Sequence, residues 1–211
     1  MNEETWKNIL QQSLQLFSQF GIRNISMDDI AKSTGISKKT LYQYVKDKDE
    51  LILKTFEYEL QSAHQITNQI IEQYPNALET LIKITERQAN RMKGINPVAV
   101  LELQKYHPNV WALMSKYNQE QIIPNVIKIL KTGIEQGYFR KELNVQILAR
   151  LHVEQIRIMF DPSIFSYTEY ELSEVYYTIQ DLFIRSIVTE KGLKYYEAHY
   201  SNLSKINRKN V

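Results

Sequence analysis

Apolar residues recur three and four positions apart along almost the whole chain, and this spacing is the strongest constraint on its fold. The first such stretch ends at Gly21 and contains Trp6, Ile9, Leu10, Phe17 and Phe20. This spacing places the apolar side chains on one face of a helix. No segment shows the strict alternation of a half-buried strand, and there is no internal repeat or low-complexity tract. The sequence therefore predicts an all-α fold with about nine helices.

Proline and glycine divide the later part of the chain into helices. Pro124 interrupts an apolar-periodic run over residues 110–134, so we expect a kink or a junction there. A last long helix fits residues 168–189, with a stop near Gly192. The tail, residues 201–211, is basic and has no acid, which predicts a frayed, solvated end.

Two short helical segments flank a turn at Gly35. Ser26 and Asp29 approximate a capping box at the start of the first segment. Gly35 supplies the left-handed backbone that a tight interhelical turn needs, and Ser37 can cap a second helix running to about Val45. This is the layout of a helix-turn-helix, in which the second helix lies in the major groove of DNA.

Basic residues are concentrated in this same region. The formal net charge of the chain is only +2, so bulk electrostatics alone would not indicate a nucleic-acid partner. Between residues 32 and 48, however, Asp47 is the one acid, among the lysines Lys32, Lys38, Lys39, Lys46 and Lys48. The charge pattern favours a local DNA-binding surface.

The residues that enzymes and metal sites need are missing from the sequence. It contains no cysteine, no phosphate-binding or dinucleotide-binding glycine motif and no nucleophile elbow, and its four histidines lack metal-ligand spacing. We therefore expect no catalytic residues, no metal and no cofactor. There is no signal-peptide pattern and no apolar run near the ~20 residues of a membrane span, so we expect a soluble, cytoplasmic protein.

Two stretches carry a resemblance to a known family. Residues 17–31 (FSQFGIRNISMDDIA) and 35–51 (GISKKTLYQYVKDKDEL) resemble the N-terminal domain of tetracycline-repressor (TetR) family regulators. The resemblance covers roughly residues 5–55 and rests on several anchor residues at the right mutual spacing. It implies a DNA-binding domain at residues 1–47 and a regulatory and dimerisation domain at residues 48–200, with the fourth helix as connector.

The resemblance also implies which residues meet double-stranded DNA. Ser37, Lys38, Lys39, Thr40 and Gln43 would face the groove. Backbone contacts would come from Ser26 and Met27 at the start of the second helix, and from Tyr42, Tyr44 and Lys48. The chemistry agrees, because lysine reaches guanine acceptors or phosphates and glutamine pairs with an adenine edge. Tyr44 could instead belong to the core of the domain.

The C-terminal helices are apolar on two sides. A helix of this kind must be buried on both sides, one of which can be the core and the other a partner. The resemblance implies the same arrangement, a homodimer held by a four-helix bundle from the last two long helices of each protomer. The candidate interface residues are Leu148, Leu151, Ile158, Val175, Ile179, Leu182, Phe183 and Ile187.

Residues 85–160 supply a mixture of aromatic, thioether and polar groups that could line a small-molecule pocket. The candidates are Gln88, Met92, Tyr106, Trp111, Met114, Tyr117, His152, Met159 and Phe160. Taken singly, each could equally be ordinary core, and His152 on an apolar helix is more often a satisfied core histidine.

The function favoured by the sequence is a homodimeric repressor, released from a palindromic operator by an unknown small-molecule inducer. Two alternatives remain open. The chain could be a helix-turn-helix protein that acts through a protein partner without an inducer, or it could be an activator.

Overall fold

The computed structural model describes residues 2–200, apart from the side chain of Tyr200. Its helices in this range are α1 (Glu3–Phe20), α2 (Met27–Thr34), α3 (Lys38–Leu41), α4 (Lys48–Gln73), α5 (Ala77–Met92), α6 (Pro97–Tyr106), α7 (Pro108–Tyr117), α8 (Ile123–Glu135), α9 (Val145–Ile158), α10 (Leu172–Ile187) and α11 (Glu190–Tyr200). An isolated antiparallel bridge joins Phe139 and Val188. The all-α prediction is confirmed. The predicted basic tail lies outside the described residues.

Helices outnumber the expected nine partly because the run around Pro124 is divided. A π-helical segment, Asn118–Ile122, separates α7 from α8. Pro124 is the second residue of α8, which follows the π-helical segment without a break in the helical backbone. The junction expected from the sequence is therefore a local change of helix type within one continuous helical run.

The end of the chain also differs from the sequence-based expectation. The last long helix, α10, ends at Ile187, and Gly192 lies in the first turn of a further helix, α11. A Cβ at Gly192 would lie 2.3 Å from the carbonyl oxygen of Tyr138. The glycine thus permits a close approach to the backbone at Tyr138 rather than stopping a helix.

The recognition segment is shorter than predicted. Regular helix ends at Leu41, not near Val45. The N–H groups of Gln43 and Tyr44 instead donate to carbonyl oxygens three residues back, both at 3.0 Å. Tighter turns of this kind are common at helix ends.

The described residues form two compact units. The first comprises the residues up to Gln65 together with Gly94–Tyr117. Its core is built mainly by α1 to α4, with α6 and α7 contributing Leu103 and Val110. The fully buried side chains of this core are Ile9, Phe17, Ile22, Ile30, Leu41, Leu51 and Ile52. They fix the first four helices against one another.

The second unit comprises Ile66–Lys93 and the described residues from Asn118 onward. Helices α5, α8 and α10 supply most of its core. The side chains with no exposed area are Leu78, Ile82, Phe139, Ile184 and Ile187. A smaller cluster around Ile123, Ala149 and Val153 packs α8 against α9.

Candidate nucleic-acid interface

The start of α2 is fixed by a reciprocal cap. The Ser26 hydroxyl oxygen accepts from the N–H of Asp29 at 3.2 Å, and Asp29 Oδ2 accepts from the N–H of Ser26 at 2.8 Å. The hydrogen bonds from Ser26 lower the pKa of the Asp29 carboxyl. Ser26 is exposed, as a phosphate contact requires, but the Met27 side chain is only 7% exposed and packs in the core. The predicted phosphate contact at Met27 can therefore be made only by its backbone N–H group.

The turn between α2 and α3 depends on Gly35. Its φ of 71° lies in the left-handed region that favours glycine. The following residue, Ile36, donates its N–H to the carbonyl oxygen of Ala31 at 3.0 Å. Ser37 then caps α3, its hydroxyl accepting from the N–H of Thr40 at 3.0 Å. These local bonds set the angle between the two helices.

The outward face of α3 is polar and basic. Its exposed members are Ser37, Lys38, Lys39, Tyr42 and Gln43. The Lys38 ammonium lies 2.6 Å from Asp28 Oδ2, and this hydrogen bond raises the pKa of Lys38. Since both side chains are about half exposed or more, the pair is weak and can exchange for another anion. The face therefore presents the lysine donors Lys38 and Lys39 and, about one helical turn further on, the amide of Gln43.

Two of the predicted DNA contacts, Tyr44 and Thr40, already interact with other side chains of the protein. The Tyr44 ring stacks on Trp6, with centroids 5.5 Å apart and planes 11° from parallel, and it packs against the core. Thr40 is half-buried, and its hydroxyl lies 2.8 Å from that of Ser37. Tyr44 thus matches the core alternative that the sequence left open.

Lys48 points to the turn between α1 and α2. Its ammonium donates to the carbonyl oxygen of Ile22 at 2.6 Å. Partial burial lowers the pKa of Lys48, while Glu102 and two aspartates act in the opposite sense. A phosphate contact at Lys48 would have to displace or share the Ile22 carbonyl. The sequence did not single out Glu102, because nothing local marks a residue 80 positions from its partner.

Residues 9–55 match the model of the family described as bacterial regulatory proteins, tetR family. A relative of similar length is an uncharacterised HTH-type transcriptional regulator, YvaF, of Bacillus subtilis. It is 25% identical over 186 residues, covering 88% of this chain and 96% of that protein. The chain therefore carries the DNA-binding domain of the TetR family at residues 9–55. The family consists of transcriptional regulators, not enzymes.

Solved structures show the same fold over most of the chain. The regulator FadR of Bacillus subtilis, solved with stearoyl-CoA, is 17% identical and has a TM-score of 0.64, covering 85% of this chain and 97% of that one. A putative regulator of Saccharomonospora viridis, solved with choline, is 18% identical and has a TM-score of 0.71, covering 90% and 100%.

The pocket candidates are divided between the two compact units. The first unit holds Tyr106, Trp111, Met114 and Tyr117. Tyr106 is exposed beneath the Arg23 guanidinium, 4.9 Å from the ring centroid, and Met114 packs against the core. The second unit holds Gln88, Met92, His152, Met159 and Phe160, of which Met159 has no exposed area. Met114 therefore contacts the core of the first unit, and Met159 is fully buried in the second.

His152 lies in a buried polar cluster within the second unit. Its ring stacks on Phe183 with centroids 3.9 Å apart, and its Nε2 lies 3.3 Å from Nε2 of Gln180. The Gln180 Oε1 in turn lies 3.4 Å from the Thr85 hydroxyl. Burial lowers the pKa of His152 to about 4, so the ring is neutral near pH 7. If the Gln180 amide donates to Nε2, the ring proton is on Nδ1, which has no hydrogen-bond partner among residues 2–200.

The dimer candidates divide into exposed and buried groups. Leu151 is 54% exposed, Ile158 40% and Leu182 61%. Leu148 and Ile179 are half-buried. Val175, Phe183 and Ile187 are at most 5% exposed and pack inside the protomer. A partner cannot reach these three, which corrects their assignment to the interface.

A metal site and a membrane-spanning helix are not found in the described part of the chain. No group of three or more His, Cys, Asp or Glu in it could hold a metal ion. None of the described helices combines the length and apolar character needed to cross a bilayer.

Proposed function

We propose that this TetR-family chain is a homodimeric repressor that binds a palindromic operator through α2 and α3 and is released by a small molecule. The division of labour follows the domains expected from the sequence, with DNA binding in residues 1–47 and regulation in residues 48–200.

The observation that carries the proposal is the exposed polar face of α3. Gln43 can form paired hydrogen bonds with an adenine edge, while Lys38 and Lys39 can reach guanine acceptors or phosphates. The caps at Ser26 and Ser37 hold this face in a fixed orientation. Fixed orientation is what allows base contacts to discriminate between sequences.

Contacts to the DNA backbone come from the residues around this face. Ser26 and the first N–H groups of α2 meet one phosphate, where the helix dipole favours negative charge. Tyr42 is 44% exposed and meets another. We assign Lys48 primarily to the turn between α1 and α2, because its ammonium already has the Ile22 carbonyl as a partner.

A two-fold dimer supplies the second recognition helix. The exposed apolar side chains Ile147, Leu151 and Ile158 of α9 lie on one face of that helix, four and seven positions apart. Leu182 is exposed on α10, which packs against α9. An exposed apolar face on two adjacent helices favours a protein interface, and a symmetric one doubles the DNA sequence that is read.

The inducer binds in the second unit, near the cluster of His152, Gln180 and Thr85. The buried Nδ1 of His152 lacks a partner among the described residues, so a ligand oxygen accepting from it would satisfy a costly unmade hydrogen bond. The solved relatives bind small molecules as different as stearoyl-CoA and choline, so the relatives do not fix the chemistry of this inducer.

A test begins with an operator selected from a pool of random duplexes by the full chain. Affinities for this operator and for single-base variants are then measured by fluorescence anisotropy. Gln43→Ala is expected to weaken operator binding about tenfold and to relax discrimination at one base pair, because a bidentate base contact is lost. The control is Gln61→Ala, the same change at an exposed position of α4. If Gln43→Ala leaves both affinity and base preference unchanged, the proposed groove contact is wrong.

A further inference from the structure

The backbone of the turn between α1 and α2 is bound by a side chain from α6. Glu102 Oε2 accepts from the N–H of Ile22 at 2.6 Å and from the N–H of Arg23 at 3.1 Å. The carboxylate also lies against Gly21, where an added Cβ would be 3.3 Å from Oε2. A half-buried carboxylate with two backbone donors is a strong, directional contact.

A second charged side chain binds the backbone of the same residue. The Lys48 ammonium of α4 donates to the carbonyl oxygen of Ile22 at 2.6 Å. The N–H and carbonyl groups of Ile22 are thus bound by an anion from α6 and a cation from α4. The Ile22 side chain is fully buried in the core of the first unit. The turn therefore has little freedom to shift unless α4 and α6 shift with it.

Two more contacts tie the α6 region to the same part of the first unit. At its start, the N–H of Asn96 donates to the carbonyl oxygen of Ser18 at 2.6 Å. Near its end, Tyr106 lies under the Arg23 guanidinium. Helix α6 is thus attached to the end of α1 and to the turn that leads to Ser26, the cap of α2.

The path of the chain connects α6 covalently to the second unit at both ends of its segment. Gly94–Tyr117 belongs to the first compact unit, while the segments before and after it belong to the second. The chain therefore crosses between units not only within α4, after Gln65, but also after Lys93 and after Tyr117. A rearrangement of the second unit acts on α6 through these covalent connections.

We propose that Glu102 is a positioning residue for operator binding. It fixes the turn that sets the start of α2, and it transmits the position of α6 to the helix-turn-helix. The inference rests on the proposed function and adds a specific route of regulation to it. Because coupling between sites is reciprocal, operator binding must also act on α6.

The test compares full-length wild type with Glu102→Ala and Glu102→Gln, using Gln104→Ala as the control at an exposed position of the same helix. Operator affinity is measured on the selected duplex. Glu102→Ala is expected to bind about tenfold more weakly, because two bonds to a charged acceptor are lost, and Glu102→Gln, which keeps a neutral acceptor, about threefold more weakly. Gln104→Ala is expected to match wild type.

Hydrogen exchange distinguishes positioning from general destabilisation. In wild type and Gln104→Ala, operator DNA is expected to slow exchange of the α6 amides. In Glu102→Ala, the DNA is expected to protect α2 and α3 but no longer α6. Wild-type affinity together with retained α6 protection in Glu102→Ala overturns the inference.

Two further outcomes have defined meanings. If Glu102→Ala does not fold, Glu102→Gln decides, and wild-type affinity with full α6 protection in that variant overturns the inference. If wild type itself shows no sequence preference for DNA, the proposed function fails. This outcome is distinguishable from failure of the inference about Glu102, in which wild type still prefers its operator.

Discussion

At the scale of single residues, His152 makes the folded state sensitive to pH. Burial lowers its pKa to about 4, whereas the unfolded chain has the ordinary value of 6.5. Above pH 6.5 the ring is neutral in both states, and its contribution to stability is fully present. As pH falls from 6.5 toward 4, the unfolded chain takes up a proton that the folded chain does not, and stability is lost.

We predict that the free energy of unfolding falls by on the order of 3 kcal/mol between pH 7.5 and pH 4 because of this one group. Urea unfolding at several pH values measures it. His152→Gln should remove most of this component and flatten the profile, whereas the control His199→Gln, at an exposed position, should keep it. A profile for His152→Gln that superimposes on wild type contradicts this account.

Residues with local partners could be assigned from the sequence, and residues with distant partners could not. Ser26 and Ser37 were predicted as caps because each bonds a residue three positions away. Lys48 was predicted to contact phosphate, but its ammonium bonds a carbonyl 26 residues earlier. Glu102 was missed altogether for the same reason. No spacing rule in a single sequence encodes a contact that only the packed helices create.

At the scale of elements, α9 and α10 show what periodicity leaves undetermined. The sequence correctly indicates helices with two apolar sides. Which side turns inward depends on the neighbouring helices, so Phe183 and Leu182 could not be told apart as core and surface. The structure buries the first to 4% exposure and leaves the second 61% exposed. The length of α3 was also not determined by periodicity. Hydrogen bonds to carbonyl oxygens three residues back replace its last predicted helical turn.

The difference between exposed and buried apolar side chains on α9 and α10 predicts different outcomes for similar substitutions. Leu151→Asp and Leu182→Asp should shift the chain from dimer to monomer in analytical ultracentrifugation without loss of helical circular dichroism, because a charge at an apolar interface is unpaired and desolvated. The control is Ile164→Asp, an equally exposed apolar site outside both helices, which should remain dimeric. Phe183→Asp should unfold the chain instead. An unchanged mass for Leu151→Asp and Leu182→Asp would remove this face as the interface.

At the scale of the whole molecule, the proposed recognition of DNA depends on having two protomers. One recognition helix contacts only a few base pairs, and a two-fold dimer places a second copy on the other half of a palindrome. In the proposed complex, the exposed face of α3 supplies the base contacts, and the exposed face of α9 and α10 supplies the contacts between protomers. Operator affinity should therefore depend on both half-sites being present on one duplex.

The most direct test is an affinity titration of wild-type protein against the selected operator and against a duplex of equal length with one half-site scrambled. We predict two protomers per operator and binding at least about a hundredfold weaker on the single half-site, since each mismatched base pair costs roughly 1–3 kcal/mol. Equal affinity for the two duplexes, or one protomer per operator at saturation, would contradict the account of a dimeric operator-binding regulator.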